Sequence, residues 1–284
     1  MIQFVNAKLN LGLNIIGKRA DGYHLLETIF YPVGVHNGTP VNPESFGDIL
    51  EAVPVREDSC NRYRFLGRPV DCPTEKNLVY RAAELISGRT GRYFDISLVK
   101  SIPDGAGLGG GSADATFTLR MLNRLSGNRL SSDNLKELAL SLGADCPFFV
   151  ENTPAFGEGI GEILTPVEPR LKGYWVVIVK PDVYVSTREA FAGIRPSTPA
   201  VSLREIYDRP LTTWRDTMAN DFEEGIFALH PRLREIKQQL YTAGALYAQM
   251  SGSGSALFGI FEDKACAQKS REAFADLPTY ISLL

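Results

Sequence analysis

Apolar and polar positions alternate along IQFVNAKLNLGLNIIG (residues 2–17) and again along YHLLETIFYPVGV (23–35), which predicts a strand or two and then a further strand. The polar, Pro- and Asn-containing stretch HNGTPVNPESFGD (36–48) that follows reads as a surface loop. LVYRAAELISGRTG (78–91) has the spacing of a helix with a glycine exit, and YFDISLVKSI (93–102) that of a strand running directly into Pro103. Beyond it, SADATFTLRMLNRLSG (112–127) places Phe117, Met121 and Leu125 on one helical stripe. SSDNLKELALSLGADCPFF (131–149) predicts another helix, capped by Ser131 or Ser132 and ended by Gly143, with Asp145 in the turn behind it.

The texture changes from about Asn152. ENTPAFGEGIGEILTPVEPRLKG (151–173) is rich in Gly and Pro and marks a passage between domains. The second half then shows the strand YWVVIVKP (174–181), a helix near STREAFAGI (186–194) and the amphipathic stretch HPRLREIKQQLYTAGA (230–245). The glycine loop MSGSGSALFGIF (250–261) and a final helix around DKACAQKSREAFAD (263–276) close the chain. Strands and helices are interspersed without a fixed-period repeat, which predicts two α/β-type or α+β sandwich domains.

Composition narrows the class without naming it. The chain has 284 residues, 44% hydrophobic and 22% charged, and a formal charge of −3, an ordinary globular profile with no nucleic-acid-binding surface implied. Cys60, Cys72, Cys146 and Cys266 are scattered, with no CxxC, so neither a disulfide framework nor a zinc site is expected. The opening MIQFVNAKLN lacks the charge-then-apolar pattern of a signal peptide, and YWVVIV is far too short to span a bilayer. A cytoplasmic protein is the expectation.

The candidate chemistry begins at PDGAGLGGGSADA (103–115), where Gly105, Gly107, Gly109, Gly110 and Gly111 stand between a strand and a helix. A helix start leaves its first N–H groups without partners and carries partial positive charge. Glycines ahead of it let those amides curl round an anion such as phosphate. Gly105, Gly107 and Gly110 also satisfy G-x-G-x-x-G, but a dinucleotide fold places that motif after its first strand, with an acid ending a strand about 20 residues later. Here the acid at that distance, Asp133, opens a helix, and the Gly-Lys-Ser/Thr of a P-loop is absent. Lys8 and Asn10 share one face of the first strand by its period of two, and GKRADGYHLLET (17–28) is a turn with two basic residues followed by Tyr23 and His24. An edge strand with a polar face and ordinary aromatic packing fit these residues as well as a binding site does.

Together the pieces AKLNLGLNIIGKRADGYHLLETIF, IPDGAGLGGGSADA, LGADCPFF and MSGSGSALFGIF, in this order from Ala7 to Phe261, resemble the GHMP kinases, the superfamily of galactokinase, homoserine kinase and mevalonate kinase. The Lys-x-Asn opening with the Asp-Gly-Tyr-His turn is most similar to the branch that acts on a cytidine diphosphate-linked methylerythritol. The resemblance implies a two-domain α+β sandwich, with an ATP-binding domain over 1–153, a substrate-binding domain over 154–284 and the active site in the cleft between them. It implies transfer of the ATP γ-phosphoryl to the 2-hydroxyl of that substrate, in the non-mevalonate route to isoprenoids.

By the same resemblance Asp145 is the catalytic carboxylate and Lys8 the cation beside it. Asn10 and His24 contact substrate, with Tyr23 and Phe191 sandwiching the cytosine. Pro103, Gly105, Gly107, Leu108, Gly109, Gly110, Gly111 and Ser112 hold the ATP phosphates. Asn77 and Lys100 lie near the adenine, and Gly252, Ser253 and Gly254 close on the substrate diphosphate. Magnesium accompanies ATP, with Ser112 as its protein ligand. A monomer or weak homodimer, with neither a nucleic acid nor a membrane as partner, completes the expectation. The chain departs from the family at Ala113, where a second serine is usual, so any contact from that hydroxyl is lost while the amides remain.

Overall fold

A computed structural model describes residues 1–36, 39–40, 46–55, 60–70 and 72–284. The chain runs through β1 (Ile2–Val5), β2 (Ala7–Lys18), β3 (His24–Val33), β4 (Val35–His36), β5 (Thr39–Pro40), β6 (Asp48–Val55) and β7 (Arg62–Gly67). It continues with α1 (Leu78–Thr90), β8 (Tyr93–Lys100), α2 (Gly110–Leu125), α3 (Ser132–Leu142), α4 (Phe148–Glu151), β9 (Ala155–Glu158) and β10 (Ile163–Pro166). The remainder comprises β11 (Trp175–Val179), α5 (Thr187–Phe191), α6 (Leu203–Tyr207), α7 (Trp214–Thr217), α8 (Phe222–Leu229) and α9 (Pro231–Thr242). Last come β12 (Tyr247–Met250), β13 (Leu257–Phe261), α10 (Lys264–Glu272) and β14 (Thr279–Leu283). Most of the surface loop expected over 36–48 lies outside the described residues; β4 and β5 pair within it.

Among the described residues three four-stranded sheets form, in the orders β1-β6-β8-β7, β10-β9-β3-β2 and β12-β13-β11-β14. The first is covered by α1, α2 and α3, whose apolar stripes form one core with Leu50, Phe94, Ile96 and Leu98. Phe117 and Met121 are buried there as their spacing predicts, and Leu125 packs against the same core half-buried. The third sheet packs against α8, α9 and α10 through Phe227, Leu233, Ile236, Leu240 and Ala267.

The middle sheet joins the two halves. Leu9, Leu11 and Ile29 of β2 and β3 share a core with Ile178, Leu203, Trp214 and Phe258 from the second half. Strand β2 is therefore buried from Ala7 to Ile15, the polar face carrying Lys8 and Asn10 included, and Leu13 exchanges backbone bonds with Ala219 and Asp221 (both 2.9 Å). The Gly/Pro-rich stretch read as a passage contributes β9 and β10 to this sheet, so hydrogen bonding of the first half runs past residue 154 to Pro166.

Local chemistry sets the helix starts. Asn77, Ser131, Ser186, Ser202 and Asp263 each cap a helix through a side-chain oxygen. Of the two serines expected to cap α3, Ser131 does so. The longest helix, α2, starts differently: Gly109 precedes it at φ 69° and no side chain caps it. Gly143 ends α3 with extended backbone (φ 174°), so its role there is a bond from its N–H to Ala139 and not a left-handed turn. Among the described residues no helix is long and apolar enough to cross a membrane.

Candidate active site

The loop from Ile102 to Gly109 alternates apolar anchors with bare glycines. Ile102, Ala106 and Leu108 are buried in the shared core, and between them Gly105, Gly107 and Gly109 take φ values of 58°, 73° and 69°. A side chain at Gly107 would stand 1.9 Å from the Ser251 carbonyl oxygen, and one at Gly109 2.9 Å from Lys8 Cγ. Those glycines are needed because a second loop and a lysine stem lie against the backbone. The Ser251 hydroxyl donates to the Gly107 carbonyl (2.9 Å), and the Ala256 N–H to Ala106 (3.1 Å), so the two glycine loops hold each other.

This loop is a partition between two cavities. On one side lies a cavity of about 680 Å³, bounded by Lys8, Asn10, Tyr23, His24, Asp145 and Phe191 and also by Gly107, Gly109, Gly252 and Ser253. On the other lies one of about 460 Å³, where Asn77, Lys100, Asp104, Gly105, Gly111 and Tyr184 meet. The start of α2 stands between them, with its first-turn N–H groups free of intrahelical acceptors.

Lys8 is the centre of the larger cavity's floor. Its side chain is 4% exposed, and Nζ faces three acceptors: Asn10 Oδ1 (2.5 Å), the Gly107 carbonyl (3.2 Å) and Asp145 Oδ2 (3.2 Å). The ammonium also lies 5.3 Å from the centre of the Phe30 ring, a further favourable contact for a cation. Asp145, in the turn between α3 and α4, is 36% exposed and so opens to the cavity. The arrangement offers an ionic pair in which the lysine is locked and the carboxylate is accessible.

The turn Lys18–Tyr23 closes β2 onto β3. Gly22 sits at φ 92°, the Arg19 N–H donates to Tyr23 (2.7 Å), and Arg19 pairs with Asp21 (2.7 Å). Tyr23 is 60% exposed on the rim. His24, first in β3, stacks on Phe191 (centroids 4.5 Å apart, 18° between planes), and Phe191 meets Phe222 edge-on at 4.8 Å. α5 thus brings Phe191 over the strand start, where its ring meets His24, and Tyr23, His24 and Phe191 line the same cavity. Burial and then the nearby Lys18 both lower the His24 pKa, favouring a neutral ring that donates through one nitrogen and accepts through the other.

Lys100 lines the smaller cavity with Asn77 and is held there by aspartates. Its ammonium is buried between Asp48 (2.6 Å) and Asp114 (2.8 Å), with Asp104 at 4.0 Å. Burial by itself would lower its pKa, yet Asp114 and Asp48 hold it above its ordinary value. Burial pushes the Asp114 carboxyl well up; Lys100 opposes this and the nearby Asp48 adds to it. Asp48 also accepts from the N–H of Ser101 (2.5 Å) and Ile102 (2.8 Å), which ties β6 to the entry of the glycine loop.

The other predicted residues fall into place around these. Asn77 uses Oδ1 to accept from Val79 N (2.8 Å) and caps α1 at the wall of the smaller cavity. Ser112, in the first turn of α2, hydrogen-bonds the Cys146 thiol, which burial pushes up to about 11. Pro103 and the Leu108 side chain are buried, so each serves the loop from behind. Gly254, packed on Met250, lies outside the larger cavity while Gly252 and Ser253 line it. Thr28, Asp48, Asp114, Asn220 and Ser251 carry no sequence signal of their own. Asn220, for one, donates to the carbonyls of Met250 (2.9 Å) and Gly252 (2.8 Å) and so holds the second glycine loop.

Two family models match the chain: the GHMP kinases N-terminal domain over residues 77–152 and the GHMP kinases C-terminal domain over 202–277. A protein of Parabacteroides distasonis named 4-diphosphocytidyl-2-C-methyl-D-erythritol kinase is 47% identical over 280 residues, covering 97% of each chain. One of the same name from Cytophaga hutchinsonii is 38% identical and covers 93% of each. A crystal structure of 4-(cytidine 5'-diphospho)-2C-methyl-D-erythritol kinase superposes with a TM-score of 0.82 at 33% identity, over 99% of this chain and 98% of that one. Homoserine kinase of Cytophaga hutchinsonii, at 17% identity and a TM-score of 0.70, shares the fold. The chain belongs to the GHMP kinases, and within them to the 4-diphosphocytidyl-2-C-methyl-D-erythritol kinase family.

Proposed function

We infer that this protein is an ATP-dependent kinase phosphorylating the 2-hydroxyl of 4-diphosphocytidyl-2-C-methyl-D-erythritol in the non-mevalonate route to isoprenoid precursors. The observation that carries the site reading is the Lys8–Asp145 pair, 3.2 Å apart, on the floor of a cavity bounded by the glycine loop. In this reading ATP lies in the smaller cavity, with Asn77 and Lys100 on its adenine side and its phosphates reaching over Gly105–Ser112. Substrate fills the larger one, its cytosine end at Tyr23, His24 and Phe191 and its diphosphate at Gly252 and Ser253.

Phosphoryl transfer asks the protein mainly for positioning and charge stabilisation. A carboxylate is too weak a base to strip an alcohol in advance. Asp145 therefore orients the hydroxyl and accepts its proton as the new P–O bond forms and the bond from the γ-phosphorus to the β-bridging oxygen breaks, releasing ADP. Lys8 keeps Asp145 in place and offsets charge on the moving phosphoryl group.

Magnesium belongs to the same reading. Among the described residues no three His, Cys, Asp or Glu side chains gather as a metal cage. That suits a magnesium ion held chiefly by phosphate oxygens and water with one or two protein oxygens, for which the Ser112 hydroxyl is the candidate. The bound ion supplies positive charge on the phosphates. The protein is read as a cytoplasmic monomer or weak homodimer.

An ADP-release assay tests the function. Turnover is expected with the cytidine substrate, and little with its uridine analogue, because a site that hydrogen-bonds one base edge rejects another strongly. Equal turnover of mevalonate or homoserine would remove the substrate assignment, and equal turnover of the uridine analogue the role given to His24.

A further inference from the structure

Four side chains share one face of the β2–β3 ladder: Lys8 and Asn10 on β2, Thr28 and Phe30 on β3. Asn10 pairs with Phe30, and Thr28 is its diagonal neighbour, drawn in where the ladder shifts register at Gly12. Thr28 is fully buried. Its hydroxyl donates to the Gly12 carbonyl at 2.6 Å, and Asn10 Nδ2 donates to that same hydroxyl oxygen at 3.0 Å.

A hydroxyl has one proton to give. With that proton committed to Gly12, Thr28 can only accept from Asn10, so the amide must turn its NH₂ toward Thr28 and its oxygen toward Lys8. The reverse orientation would set an NH₂ against an ammonium, donor facing donor, and leave two buried groups unsatisfied. The Lys8 ammonium has three protons and meets three acceptors, and Asn10 Oδ1 is the closest of them. Removing the Thr28 hydroxyl releases the amide, and with it one of the three contacts that aim Nζ at Asp145.

We propose that Thr28 is a positioning residue for phosphoryl transfer. It fixes the orientation of the Asn10 amide and through it the place of the Lys8 ammonium beside Asp145. It touches neither nucleotide nor substrate; the ATP cavity lies across the glycine loop from it, and His24, Tyr23 and Phe191 stand further along the pocket. This role rests on the kinase reading above.

Steady-state kinetics of Thr28→Val, which keeps the shape and loses the hydroxyl, give the test. The expected result is a fall in kcat of about tenfold, the worth of roughly one buried hydrogen bond in the transition state. KM for ATP stays at the wild-type value, and Thr28→Ser recovers most of the loss. Wild-type kcat in Thr28→Val overturns the proposal, as does an unchanged kcat with a raised KM for ATP. Should the valine variant not fold by circular dichroism, Thr28→Ala compared with Thr28→Ser isolates the hydroxyl in the same way. The wild-type protein is assayed first. If it fails to turn over the cytidine substrate, the kinase reading falls; if it turns over and Thr28→Val matches it, only the role of Thr28 falls.

Discussion

At the scale of the residue, the Lys8–Asp145 pair divides its labour by exposure. A lysine that is nearly sealed and triply bonded is a fixed charge, and a carboxylate open to the cavity is the group that can meet a substrate. Asp145→Asn keeps the shape and removes the proton acceptor. It is expected to lower kcat by about 10²- to 10⁴-fold while ATP binding, followed by titration calorimetry, stays as in the wild type. Wild-type turnover in that variant would take Asp145 out of the mechanism. Lys8 and Asn10 were legible because a strand's period of two places them on one face whatever the strand packs against. Thr28 and Asn220 were not, since each acts as a hydrogen-bond partner whose mate is chosen by ladder register or by the approach of a distant segment. The stack of His24 on Phe191 was not legible for a related reason: adjacency in the turn does not say which neighbour α5 covers, and it covers His24.

At the scale of the element, the glycine loop serves two needs that sequence alone merges. Gly107 is required by packing: it has φ +73°, and a methyl there would meet backbone at 1.9 Å. Gly111 has only Leu78 Cδ1 nearby, at 3.9 Å, and lines the smaller cavity. The two therefore separate by substitution. Gly107→Ala is expected to destabilise the protein by at least about 2 kcal/mol. Gly111→Ala is expected to keep the wild-type melting temperature while raising KM for ATP, because the methyl intrudes on the nucleotide and not on the fold. Thermal melts with steady-state kinetics decide it; a stable Gly107→Ala would show the loop contact to be dispensable. The position of this loop at the mouth of a helix was readable from composition. Its grip on the second loop was not, for the 145 or so residues between them carry no signal of contact (roughly the span of a domain).

At the scale of the whole molecule, buried charge couples the elements. Asp114 on α2 and Asp48 at the start of β6 share Lys100 at the end of β8, so the glycine loop and helix are tied to the sheet beneath them. Burial, opposed by Lys100 and reinforced by Asp48, holds the Asp114 carboxyl well above its usual range. A carboxyl that binds its proton more tightly when folded contributes most below its unfolded pKa, about 3.9, and that contribution is lost as pH rises through the raised folded value. Asp114→Asn cannot ionise, so its melting temperature should fall less than that of the wild type as pH rises from about 4 upward. Parallel melting curves for the two proteins would remove this linkage.

The amino-acid sequence determined by itself the elements and the local chemistry: period-two strands, the stripe of α2, a serine cap at the start of α3 and the glycines, all set by interactions within a few residues. It also carried the family, because motifs in fixed order need no coordinates to be compared. Only the tertiary structure decided that 155–166 extends the first half's middle sheet, that Lys100 is held by two aspartates and that His24 covers Phe191. Each of those depends on which surfaces meet across long separations, where burial and hydrogen-bond satisfaction select one partner among many that sequence spacing leaves equal.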